Sequence, residues 1–286
     1  MSHFSVLVIG DDVDEQLAPY DENRETAPRR HYLDAKFIAS MAKHHGIDPA
    51  DLHALAEKME KWKACPGGVD AKGLYALTTY NADRKWDWYE VGGRWSGFFH
   101  LKPITATHGA ADGAATGAAK SDSACADAAR KGDVDFNSMR AAAEEKAREV
   151  WRAYAASIAG TPAALPWVVF DAKVRARELT RDAARRAYRA QPRVKAFHDA
   201  MEPLLGPFVS LEEFPITEED YVSGQRRAAI APFAYVRDGV WHERGEMGWF
   251  GCVSNERADD EWYAEVEAML AELQDDTLLT LVDCHI

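Results

Sequence analysis

The stretch Lys85–Phe99, KWDWYEVGGRWSGFF, packs three tryptophans, a tyrosine, two phenylalanines, an arginine and a paired glycine into fifteen residues. Gly92-Gly93 suits a two-residue hairpin turn, where positive φ is required and glycine supplies it at little steric cost. Pairing across that turn sets Val91 opposite Arg94, Glu90 opposite Trp95, Tyr89 opposite Ser96, Trp88 opposite Gly97 and Trp86 opposite Phe99. Directly opposed residues share a face. Trp86, Trp88, Trp95 and Phe99 are therefore expected in a core, with Asp87, Tyr89, Arg94, Ser96 and Phe98 on the other side. A guanidinium, a carboxylate and a phenol beside rings on that second face could bind a phosphate or a carboxylate. The same residues also suit the solvated face of a two-layer sheet. No helix N-terminus follows, so the segment is not a phosphate loop.

Working outward, HFSVLVIG (residues 3–10) reads as a buried strand, β-branched and nearly continuously apolar, stopped by Gly10 and then acidic residues. A helix is expected over Asp34–His45 and ends at Gly46. The next has Asp48 as N-cap, Pro49 at its first position, and a stripe of Leu52, Leu55, Ala56 and Met59. GLYALTTY (73–80) reads as a strand joined to the opening segment by the turn NADR. Beyond Pro103 the chain turns small and Gly/Ala-rich, with little to place in a core. Phe136–Ala159 then reads as a long helix capped by Asp135, and TRDAARRAYRAQ as another, capped by Thr180 and stopped by Pro192; WVVF between them is undecided. Asp238-Gly239 between two alternating runs is the strongest hairpin signal. DDEWYAEVEAMLAELQ places Trp262, Val266, Met269, Leu270 and Leu273 on one helical face, and TLLTLVDCHI is a final buried strand. The expectation is an α+β fold with a largely antiparallel sheet, built from 1–102 and 206–286, and a mainly helical insertion over 103–205.

With 286 residues and 47% apolar composition the chain has enough to bury a full core. No run approaches the ~20 apolar residues needed to span a bilayer and the start carries no leader pattern, so a soluble, cytoplasmic protein is expected, with no membrane partner. Four scattered cysteines without a C-x-x-C pair suggest neither a disulfide framework nor a zinc ribbon. A net charge of −13 argues against direct nucleic-acid binding, although a basic stretch runs from Arg175 to Arg193. Acidic clusters at Asp11–Glu15 and Glu212–Asp220 could instead dock on a basic protein.

Candidate chemistry falls in several places. Asp283 and His285 share a strand face, where the carboxylate could orient an acid/base imidazole; Cys284 between them points the other way and suits a small buried hydrophobe. His242 and Glu243 stand beside Gly245, Gly248 and Gly251, and a metal there would need a third ligand such as His285. Asp11 and Asp12 could hold a divalent metal or simply form a turn. Arg130 and Lys131, in ARKGDVDF, could form a ligand-gripping lid or a helix-capping segment.

The segments SHFSVLVIGDDVDEQLAPYDEN, KWDWYEVGGRWSGFF, ARKGDVDF, PFAYVRDGVWHERGEMGWFGC and DDTLLTLVDCHI together resemble a group of uncharacterised proteins encoded by bacteriophages and prophages. The resemblance spans nearly the whole chain, with 106–124 its least typical part. It implies a phage-encoded accessory protein acting in the host cytoplasm and carries over no catalytic residue. Two functions fit these readings. One is a binder or hydrolase of a small molecule or nucleotide, with the polar residues above converging in a cleft. The other is an acidic, non-enzymatic inhibitor of a host defence or nucleic-acid-processing protein.

Overall fold

The computed structural model describes residues 2–63, 67–103, 125–212, 214 and 217–286. The Gly/Ala-rich stretch 106–124 and Cys65 lie outside the described residues. The fold is α+β. Its main sheet comprises β1 (His3–Ile9), β2 (Trp88–Val91), β3 (Ala128–Arg130), β4 (Ala234–Arg237), β5 (Val240–Glu243) and β6 (Leu278–His285). The spatial order is β5-β4-β1-β6-β2, with β3 pairing the Leu278 end of β6. β1 and β6 run antiparallel at the centre, His3 opposite His285 through Ile9 opposite Leu279, while β1 and β4 run parallel.

The two central strands read as near-continuous apolar runs because the sheet is covered on both faces. One face buries Phe4, Val6, Val8, Val282 and Cys284 against Leu17 and Trp86. The other buries Leu7, Ile9, Leu279 and Leu281 against the helix Asp259–Glu272. All five residues of that helix's expected stripe are buried, and Trp262 is fully so. Each such large apolar side chain contributes roughly 1.5–3 kcal/mol relative to exposure. The Asp238-Gly239 turn joins β4 to β5 as expected, both residues at positive φ.

Two further clusters flank the sheet. Helices α1 (Ala35–His45) and α2 (Leu52–Lys63) pack Met41, Leu55 and Met59 with Leu74 from a small sheet of 29–32, 67–70 and 73–78. Helices α3 (Phe136–Ile158), α4 (Trp167–Arg175), α5 (Arg181–Arg189), α6 (Pro192–Leu205) and α7 (Glu218–Ala228) form the helical part; Asp259–Glu272 is α8. Val150, Phe197, Met201 and Tyr221 are the centre of that part, so its packing continues past residue 205 into α7.

The structure sharpens three local points. The Asp48 carboxylate accepts from the Ala50 N–H and that of Asp51 from the Ala54 N–H, so α2 begins one turn later than Asp48-Pro49 implies. α5 ends at Arg189, ahead of Pro192 as expected, and Pro192 also opens α6 as its first residue, where a missing N–H costs nothing. WVVF begins α4.

The largest correction concerns Lys85–Phe99, which is no hairpin. β2 pairs with β6, and the chain then enters a 3-10 turn over Gly93–Trp95, while Phe99–His100 pairs with Cys125–Ala126. Trp86 and Phe99 are buried as expected and Trp95 partly so, but Trp88 is 48% exposed and Tyr89 turns to the apolar side. The two glycines have positive φ, yet what they chiefly allow is close approach. A Cβ on Gly92 would stand 2.4 Å from Asp127 Cγ, and one on Gly93 2.4 Å from Asp283 Cβ.

Candidate functional site

The register of β1, β6 and β2 sets side chains in rows across the sheet. Leu7 and Leu281 form an apolar row beneath α8, and Ser5, Asp283 and Glu90 form the second row beyond. His3, His285 and Trp88 form the outermost row, three rings from three adjacent strands. The His3 and His285 rings meet edge to face at 5.0 Å, and each lies edge-on to Trp88, at 6.2 and 6.3 Å.

Each imidazole has its own carboxylate. His3 Nδ1 lies 2.9 Å from Asp283 Oδ1, and His285 Nδ1 lies 2.7 Å from Asp87 Oδ1. The Asp283 side chain is 2% exposed, and its second oxygen accepts from the Arg94 backbone N–H at 3.1 Å. The glycine-bearing turn after β2 therefore serves to bring a backbone donor onto a buried carboxylate. Asp87 is more open, at 39%. Because Nδ1 faces a carboxylate in both rings, Nε2 is the atom left for a ligand. Arg94 itself is exposed, and its guanidinium makes no ion pair among the described residues.

The structure thus joins Asp283, His285, Asp87 and the Arg94 segment, and adds His3, which the sequence reading passed over. The missing signal was the pairing of the first and last strands: aligned antiparallel, SHF and CHI set one histidine opposite the other.

The other candidates lie elsewhere. His242 stacks on Tyr235 at 4.5 Å, with Nδ1 3.8 Å from Glu265. It sits about 13 Å along the strands and about 10 Å across the sheet from His3. Glu243 faces the opposite side, pairing with Lys85 at 2.6 Å and accepting from Trp241 Nε1. Tyr89 projects from the apolar face, where burial first and a hydrogen bond to Asp14 second push its phenol well above the usual range. Arg130 and Lys131 donate to the carbonyls of Asp276 and Leu273, both at 2.6 Å, bracing the α8–β6 loop at the far end of β6. Asp11 and Asp12 are exposed in the turn after β1, at the opposite end of that strand from His3. Of the polar residues expected to converge in one cleft, Asp87, Asp283, His285 and the Arg94 backbone come together, whereas Tyr89, His242 and Glu243 lie elsewhere.

Among the described residues no group of three or more His, Cys, Asp or Glu side chains is gathered as a metal ion would require. Cys284 is fully buried, and desolvation with Asp283 beside it drives its thiol far above the normal range, which removes it as a nucleophile. Two open depressions, of about 440 and 600 Å³, lie on the helical part, lined by α3 and α7 and by α4 with Arg181. Neither borders the histidine row. No described helix is long and apolar enough to cross a membrane. Comparison with protein-family models, curated proteins and solved structures finds no match to this chain.

Proposed function

We propose that this protein binds and hydrolyses a small molecule of the nucleotide or phosphoester type at the His3–His285 row. The observation that carries the reading is two imidazoles in ring contact, each fixed by its own carboxylate, beside a half-exposed indole. Paired imidazoles can divide acid and base work. In this reading His3, held by the buried Asp283, takes a proton from an attacking water through Nε2. His285 in turn gives one to the leaving oxygen. Trp88 offers an edge or face to a planar ring, and the Arg94 guanidinium offers charge to an anionic group. The resemblance to phage and prophage proteins supports an accessory role in the host cytoplasm.

The alternative of a non-enzymatic inhibitor rests on acidic surface, of which Glu218, Glu219 and Asp220 in the exposed first turn of α7 are an instance. A thermal-shift panel of nucleotides and phosphoesters, followed by turnover assays on any stabilising compound, tests the first reading. Stabilisation by at least one compound, lost in His285→Asn and in Trp88→Ala, is expected. A flat panel, or stabilisation that survives both substitutions, overturns it.

A further inference from the structure

Overall charge conceals a strongly segregated surface. Between Arg175 and Arg193 the chain carries seven arginines against two carboxylates, within a molecule of net charge −13. α5 concentrates this: Arg181, Arg185, Arg186 and Arg189 are all exposed and fall on one arc of the helix. Beside that arc, Ala184 is fully buried and the Tyr188 ring packs against Trp167 and Phe170 of α4 at 5.7 and 5.8 Å. The face is poorly neutralised. Asp182 approaches Arg185 at only 3.9 Å with both groups exposed, and no other ion pair reaches these four arginines among the described residues. Nearby, Arg175 is paired with Asp171 on the neighbouring helix.

We propose that the arginine face of α5 is a docking surface for the phosphodiester backbone of nucleic acid, read without regard to sequence. Four guanidiniums over a helix of nine residues, about 13 Å long, span several phosphates of a duplex at one charge per ~1.7 Å of axis. Arginine rather than lysine favours phosphate, because its planar fork donates two parallel hydrogen bonds. An anionic membrane fits less well. A helix lying in a bilayer surface needs a free apolar face, and that of α5 is spent against α4. Local potential, not net charge, sets the encounter, and the acidic remainder would orient the molecule so that this face meets the polyanion. The inference is independent of the histidine row.

The test is fluorescence anisotropy with labelled DNA and RNA duplexes of about 30 base pairs at ~50 mM salt, for wild type and for a variant carrying Arg181→Gln, Arg185→Gln, Arg186→Gln and Arg189→Gln. Wild type should bind either or both duplexes, and the variant at least about ten-fold more weakly, with a salt slope shallower by roughly three. Circular dichroism establishes that the variant is folded, and the pair Arg185→Gln with Arg189→Gln should fall between the two. Absence of wild-type binding, or equal binding and slope in the variant, overturns the proposal. Binding of wild type to vesicles with anionic headgroups in place of either duplex overturns it in favour of a membrane surface.

Discussion

Gly93 and Asp283 are in such close contact that a Cβ on Gly93 would stand 2.4 Å from the Asp283 Cβ. Gly93 also has φ +48, where a side chain is strained in any case. Gly93→Ala should therefore cost about 2–4 kcal/mol, strain and clash together. Gly46→Ala is the control, since Gly46 has φ +64 but nothing within 4 Å of its Cβ position, and should cost only about 1–2 kcal/mol. Urea unfolding measures both; equal losses would mean that β6 yields to the intrusion.

The two histidine pairs differ in burial, and that predicts unequal costs. His3→Ala leaves the Asp283 carboxylate, 2% exposed, with only the Arg94 N–H as donor among the described residues, and should destabilise by about 1–3 kcal/mol. His3→Asn, whose amide can stand where Nδ1 stood, should recover part of that. His285→Ala should cost less, since Asp87 is 39% exposed and water can replace the imidazole. Chemical denaturation of the three variants ranks them, and a larger loss for His285→Ala would contradict the assignment of Asp283 as the buried member.

Much of the fold was legible because its signals are local. β1, β6, the Asp238-Gly239 hairpin and the α8 stripe each announce themselves within about ten residues, through apolar runs, a turn dipeptide or helical periodicity. Lys85–Phe99 was misread because glycine answers two demands alike. Gly92-Gly93 fits a hairpin turn as well as a close approach, and only the distant Asp127 and Asp283 decide between them. The site had the same difficulty. Asp283 and His285 were readable as one face of a strand, but His3 joins them only through pairing between the two ends of the chain. His242 and Glu243 looked functional because of the glycines around them, and are instead engaged by Tyr235 and by Lys85 and Trp241.

Thiol reactivity offers a check on the sheet's packing. Cys252 is exposed, whereas Cys284 lies in the centre of the apolar face with its thiol driven upward by desolvation. Mass-spectrometric mapping after brief alkylation should find Cys252 modified and Cys284 untouched until the protein is unfolded. Early labelling at Cys284 in native conditions would mean that β6 opens far more readily than a fully buried central strand should.

Glu265 links acidity to the packing of α8 on the sheet. Burial would raise its carboxyl, but hydrogen bonds from Arg257 and Tyr235, with the nearby Arg257 charge, outweigh that and hold it below the ordinary value of 4.5. The Tyr235 phenol is correspondingly pushed up to about 12, by burial first and by Glu265 second. A carboxyl with a depressed folded-state pKa favours the native state fully above its unfolded value, and that contribution is lost as pH falls through the folded value. Stability measured by urea between about pH 3 and pH 6 should thus decline toward acid more steeply in wild type than in Glu265→Gln. Taking the difference between the two curves matters, because Glu144 and Asp70 are also held low by their partners and contribute to the wild-type slope. Parallel curves would show that Glu265 meets the same electrostatic surroundings folded and unfolded, and that the Arg257–Glu265–Tyr235 network does not fasten α8 to β4 in solution.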